Sequence, residues 1–146
     1  MSCPGISGVL AQLYQAYKEL NGGIDPPSAL MKCILLNSAD DIGNPGPDFK
    51  HGWGVVNANR ALKLIENSNY FSGTISQGIT NTHSLNIPSN IDEVKVMVYW
   101  HDKEGSTSAS ISLVNDINMS MSSSNGITYN PWVLDPTPNS SNLNQN

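Results

Sequence analysis

The sequence predicts a segment of three helices followed by an all-β, jelly-roll-like sandwich, with both parts incomplete. Three observations predict it. Apolar residues recur at helical spacing up to about Asn67, strict alternation replaces that period from Ser68 onward, and only four or five strands can be counted where a closed jelly roll needs about eight. The composition shifts at the same place, from Ala, Leu, Ile and Lys to Ser, Thr and Asn. Residues 1–67 and 68–146 are therefore read as two domains.

The first helix follows from Ile6, Val9, Leu10, Leu13, Tyr14, Tyr17 and Leu20, which share one broad apolar face. Gly5, Ser7, Gly8 and Ala11 add a patch of small residues that lets another backbone come close, so the helix is expected to be largely buried. It ends at Asn21-Gly22-Gly23, where glycine takes the left-handed conformation that stops a helix. In the second helix Asp25 is placed as N-cap and Pro26 at the first helical position, where a missing N–H costs nothing. Leu30, Ile34 and Leu35 form its apolar face. The stretch "DDIGNPGPDFKHGWG" is a loop by its glycines and prolines, and Asn57 caps a third helix that turns Ala58, Ala61, Leu62 and Ile65 inward.

In the second half, Leu85 and Ile87, then Val94, Val96, Val98 and Trp100, alternate as half-buried strands do. A third strand places Val114, Ile117, Met119 and Met121 inward. Asn125-Gly126 signals a hairpin turn into "ITY". The closing "PTPNSSNLNQN" is polar and proline-bearing, and reads as a loop interrupted in mid-course.

Charge limits the partners. Of the 146 residues only 13% are charged and the net charge is −5, which disfavours a lysine- and arginine-driven grip on nucleic acid or an anionic membrane. Apolar runs stay well short of the roughly 18 residues of a membrane span, and no basic region precedes the first apolar stretch as a signal peptide requires. Cys3 and Cys33 fit neither a disulfide framework nor a zinc site, which needs about four ligands at short spacing. They are read as buried free thiols, with an interhelical bridge as the unsupported alternative.

The opening "MSCPGISG" resembles the end of the subtilisin-like serine peptidase signature G-T-S-M-[AS]-x-P-x-[VI]-[AS]-G, through Met1, Ser2, Pro4, Ile6, Ser7 and Gly8. In that family the serine before the methionine is the nucleophile, so the resemblance places it immediately before Met1. "SALMKCILLNSAD" (28–40) is similar to the family's next helix and following turn. "HGWGVVNANRAL" (51–62) is similar to the segment that ends the peptidase domain. "VKVMVYWHD", "SASISLVNDINMSM" and "NGITYNPWVLDP" resemble a β-sandwich that follows the peptidase domain in some bacterial members and is loosely related to the P-domain of proprotein convertases.

The resemblance covers about nine-tenths of the chain and implies the following. The fold would be the C-terminal helices of a doubly wound α/β peptidase domain followed by the sandwich. The parent would be a secreted or cell-surface serine endopeptidase, its substrate a protein or peptide held in a cleft built by the remainder of the same polypeptide. The family's triad order puts Asp and His upstream of Ser, so no catalytic residue is expected within this chain, and the chain alone is expected to be inactive.

His51, His83 and His101 are accordingly read as loop, strand-start and turn residues. Calcium is the cofactor considered. Asp102 and Asp116, with Asn115, are hard oxygen donors on sandwich-end loops, and related peptidases with such a domain bind the ion, although their spacing matches no defined calcium loop. Trp53 and Trp132 are read as packed at the domain seam, with sugar stacking as the alternative. The rival reading from another class is a noncatalytic adhesion or carbohydrate-binding sandwich with a helical leader.

Overall fold

The computed structural model describes residues 2–134. Met1, with its place in the peptidase signature, lies outside the described residues, as do Asp135, Pro136 and the tail to Asn146. Three helices, α1 (Ser2–Leu20), α2 (Ser28–Asn37) and α3 (Ala58–Glu66), and one two-stranded antiparallel pair, β1 (Met121–Ser122) with β2 (Thr128–Tyr129), are joined by long irregular segments.

The predicted fold class is corrected by this architecture. Among the described residues there is no β-sandwich and no parallel sheet, and only four residues lie in a β-ladder. Alternation marks a face that suits a strand, but a strand persists only where a neighbour completes its ladder and covers its apolar side. Here Leu85, Ile87, Val94, Val96 and Val98 remain exposed, and the runs that contain them carry no ladder. The one turn with strong hairpin chemistry does close a pair. Gly126 has φ +85°, and Met121 faces Tyr129 across the register while Ser122 faces Thr128.

The core sits between the helices. Leu13 and Tyr17 of α1, Leu30, Met31 and Ile34 of α2, and Ala61 and Ile65 of α3 form one buried cluster, with Val9, Leu10, Leu35, Leu62, Leu64 and Tyr70 packed around it. Side chains of this size stabilise a fold by about 1.5–3 kcal/mol each when fully buried. Ala61 is wholly buried, and its small side chain lets α3 approach its neighbours. Only Leu13 and Tyr17 of α1 are buried, so the expectation of a largely buried first helix is not met. No residue of its first two turns is buried, and contact with the core begins at Val9 and Leu10.

Local chemistry sets the helix ends. Gly22 and Gly23 take φ +65° and +88°, and Gly23 N–H returns to the Lys18 carbonyl at 2.7 Å, which ends α1. Pro27, not Asp25, occupies the N-cap of α2. Asp25 instead accepts an ion pair from Lys18 at 2.8 Å. That charge partner and the two consecutive prolines, which hold the chain extended, delay the helix to Ser28. For α3 the capping expectation holds: Asn57 Oδ1 accepts from Arg60 N–H at 2.9 Å.

Candidate functional site

The densest polar construction lies in the segment from Asp40 to Arg60. An antiparallel bridge joins Asp40 to Val55, with N–H to carbonyl distances of 2.7 and 2.8 Å in the two directions. It closes the Gly- and Pro-rich loop between α2 and α3. The Asp40 carboxylate then meets two donors from the start of α3: Arg60 Nη2 at 2.8 Å on Oδ1, and Asn57 Nδ2 at 2.9 Å on Oδ2. Arg60 Nη1 also donates to the carbonyl of the fully buried Ser38 at 3.5 Å. A cation in the first turn opposes the helix dipole. Asp40 offsets that disadvantage by holding the guanidinium against the end of α2.

Inside the loop, Asp48 is buried and accepts from the N–H groups of Lys50 at 2.9 Å and His51 at 2.5 Å, and from His51 Nδ1 at 3.2 Å. The His51 N–H, chief among these donors, holds the Asp48 carboxyl below the usual carboxylate range. A second bridge pairs Asp48 with Gly52. A carboxylate that orients an imidazole is two-thirds of a nucleophilic triad. Among the described residues, however, no Ser, Thr or Cys side chain is hydrogen-bonded to His51. The pair works as a loop clasp, in keeping with the loop role read from its glycine-rich surroundings.

The sequence reading did not single out Asp40, Asn57 and Arg60 as a cluster. Asn57 and Arg60 lie 17 and 20 positions beyond Asp40, and no period links them to it. The available signal was an aspartate just past the end of one helix and an arginine in the first turn of the next.

The residues nominated for calcium are only partly brought together. Asp102 and Asn115 meet, but the Asp102 carboxylate accepts Val114 N–H at 2.7 Å, Asn115 N–H at 3.0 Å, Asn115 Nδ2 at 2.7 Å and Lys103 N–H at 3.0 Å. Partial desolvation works against its charge, and these donors outweigh it, so its pKa is lowered. Asp116 is exposed and contributes nothing to this knot. N–H groups present positive charge where a cation's ligands would need lone pairs, and no three His, Cys, Asp or Glu side chains converge among the described residues. As arranged, the donor set does not fit a calcium ion. It is an anchor that ties residues 102 and 103 to 114 and 115.

The remaining nominees are placed as follows. His83 is exposed and stacks on Phe71 at 4.3 Å. His101 Nε2 lies 2.9 Å from Ser28 Oγ, with its ring edge-on to Tyr99. Cys3 is exposed, contrary to the expectation of burial, because the first turns of α1 have nothing packed on them. Cys33 is partly buried, and desolvation pushes its thiol pKa up. Both cysteines are free. Trp53 and Trp132 are 46% and 62% exposed, which corrects the expectation that both are packed at a seam. Trp132 lays its indole against Gly46, where an added Cβ would meet ring atoms at 3.0–3.1 Å. Trp100 Nε1 is enclosed without a hydrogen-bond partner.

A groove of about 420 Å³ runs between α1 and α3, lined by Val9, Leu13, Ala16, Ala58 and Leu62, with Gln12, Asn59 and Glu66 as its polar members. Its lining includes no Ser, Thr, Cys, His or Lys, and Glu66 is its one titratable side chain. No helix among the described residues is long and apolar enough to cross a membrane. Compared with family models, with curated proteins and with solved structures, the chain matches none.

Proposed function

We propose that this chain is a portion of a secreted or cell-surface serine endopeptidase of the subtilisin-like class, contributing the helix that follows the nucleophile but none of the catalytic triad. The observation that carries the reading is the position of the motif. Ser2, Pro4, Ile6, Ser7 and Gly8, which resemble the family signature, form the opening turns of α1. A residue immediately before Met1 would then stand at a helix N-terminus. Unpaired N–H groups and the positive end of the dipole favour the oxyanion formed when a serine attacks a peptide carbonyl there.

One further feature supports the reading. A Cβ added at Gly5 or Gly8 would meet nothing within 4 Å, so this side of α1 is free to be covered by more of the same polypeptide. In the parent enzyme a histidine carried elsewhere would take the serine proton, and water would hydrolyse the acyl-enzyme. Protein or peptide substrate would bind in a cleft to which this chain adds only its helix.

The test is to translate the nucleotides upstream of Met1 and express the longer product. The reading expects an in-frame Gly-Thr-Ser ahead of Met1, preceded by Asp and His segments, and casein cleavage that a serine-directed phosphonate blocks. A stop codon in place of that frame, or phosphonate-sensitive cleavage by the 146-residue chain itself, contradicts it.

The exposure of Trp53 and Trp132 favours a second reading, a noncatalytic carbohydrate-binding role in which an indole face stacks on a sugar ring. Binding of this chain to a glycan array, abolished by Trp132→Ala, supports that reading over the first.

A further inference from the structure

The sequence holds two Asn-Gly pairs, Asn21-Gly22 and Asn125-Gly126. In each a carboxamide precedes a residue without a Cβ, so no side chain shields the glycine nitrogen from the asparagine Cγ. The two pairs are alike in local chemistry and unlike in what the fold does with them.

Asn21 is fastened to the end of α1. Its backbone N–H and its Nδ2 both donate to the Tyr17 carbonyl at 2.9 Å, and its own carbonyl accepts Ile24 N–H at 3.3 Å. Gly23 N–H closes on the Lys18 carbonyl, and Tyr17 belongs to the buried core. Freeing this carboxamide means unwinding the packed end of a helix.

Asn125 is exposed, in the three-residue loop Ser124-Asn125-Gly126. Ser123 N–H donates to the Ile127 carbonyl at 2.9 Å and Gly126 N–H to the Ser123 carbonyl at 3.0 Å, while Ser123 Oγ donates to Asn125 Oδ1. Behind the loop stand only two residue pairs, Ser122 with Thr128 and Met121 with Tyr129. A Cβ added at Gly126 would meet nothing within 4 Å. A two-stranded pair of this length is marginal in water, so the loop opens at little cost.

We propose that Asn125 is a site of spontaneous deamidation, selected by the fold over Asn21. When the loop opens, the Gly126 nitrogen attacks Asn125 Cγ. The new N–Cγ bond replaces the Cγ–Nδ2 bond, and ammonia leaves with the amide proton. Water then opens the cyclic imide at either carbonyl. One product is aspartate; the other is isoaspartate, whose backbone runs through the side chain. Either adds one negative charge to the chain's −5. Isoaspartate also inserts a methylene into the backbone of the loop, which breaks the register that sets Ser122 against Thr128. The reaction is therefore a one-way release of the β1–β2 pair.

Incubation of the 146-residue chain at neutral pH, followed by peptide mapping, tests the proposal. Each converted asparagine gains about 1 Da, and electron-transfer fragmentation tells isoaspartate from aspartate. Conversion at Asn125 is expected to be roughly tenfold or more faster than at Asn21 in the native chain, and the two rates should converge in concentrated urea. Hydrogen exchange at the Ser123 N–H should accelerate in the isoaspartate form and stay near the parent rate in Asn125→Asp. An unconverted Asn125, equal rates at the two sites in the native chain, or a preference undiminished in urea overturns the proposal. So does an isoaspartate form whose Ser123 exchange is unchanged.

Discussion

Gly54 lies directly against Asp40: a Cβ added at Gly54 would stand 2.1 Å from the Asp40 carbonyl oxygen, and Gly54 itself has φ +96°. The bridge between Asp40 and Val55 brings those two strands of the loop together, and only a residue without a side chain fits between them. The same Asp40 holds Arg60 and Asn57, so this one contact joins the end of α2 to the start of α3.

Gly54→Ala is therefore expected to be costly. Left-handed backbone in a non-glycine residue costs about 1–3 kcal/mol, and the overlap with the Asp40 carbonyl adds to it. Thermal denaturation followed at 222 nm should show a clear drop in Tm. Gly22→Ala, also at positive φ but with nothing within 4 Å, carries the backbone strain without the overlap and should fall less.

Acid should loosen the same loop. The Asp48 carboxyl is held below its ordinary value of 3.8, chiefly by the His51 N–H. A depressed folded-state pKa stabilises the fold fully above the unfolded value, and that stabilisation is lost as pH falls through the folded one. Denaturant titrations should find Asp48→Asn less stable than the parent at pH 7. The gap should narrow as pH drops below 3.8. A gap that widens on acidification would contradict the assignment.

Among the described residues, burial places the core among the helices and not in the second half. Ile65→Ala, at 2% exposure, should cost about 2–5 kcal/mol, whereas Ile111→Ala, at 72%, should stay within about 0.5 kcal/mol. Equal losses in urea melts would mean that Ile111 belongs to a packed core.

Asp102 should act as a backbone anchor. Removing its carboxylate in Asp102→Ala leaves the Val114 and Asn115 amides without their acceptor, and their hydrogen exchange should accelerate. Calcium titration should leave Tm unchanged, because the carboxylate already faces N–H donors. A calcium-dependent rise in Tm that Asp102→Ala removes would show that those donors give way to the ion.

The parts of the fold legible in the sequence are those whose cause is local. The Asn57 cap, the Gly22-Gly23 stop and the Asn125-Gly126 turn each need only a few adjacent residues, and each stands where the sequence puts it. The helical faces containing Leu13, Leu30, Ile34, Ala61 and Ile65 are legible for the same reason. Asp25 misleads because a good capping residue beside prolines has a competing partner, Lys18, seven positions back. The strands expected around Val96 depend on ladder partners that no local pattern supplies. Alternation there shows which side wants covering, not that anything covers it. The Asp40, Asn57 and Arg60 cluster is invisible for the complementary reason, since the loop that assembles it has no period. For Asp102 the residue type and its meeting with Asn115 were readable, but whether its oxygens face a cation or N–H groups depends on backbone geometry.

Active-site labelling tests the central claim most directly. The product of the proposed longer reading frame upstream of Met1, and the 146-residue chain alone, are each treated with a fluorophosphonate, and the modified peptides are mapped by mass spectrometry. The account predicts one label, on a serine immediately before Met1 in the longer polypeptide, and none on the 146-residue chain. A label on any serine from Ser2 onward, or an unlabelled longer polypeptide that still cleaves casein, would contradict it.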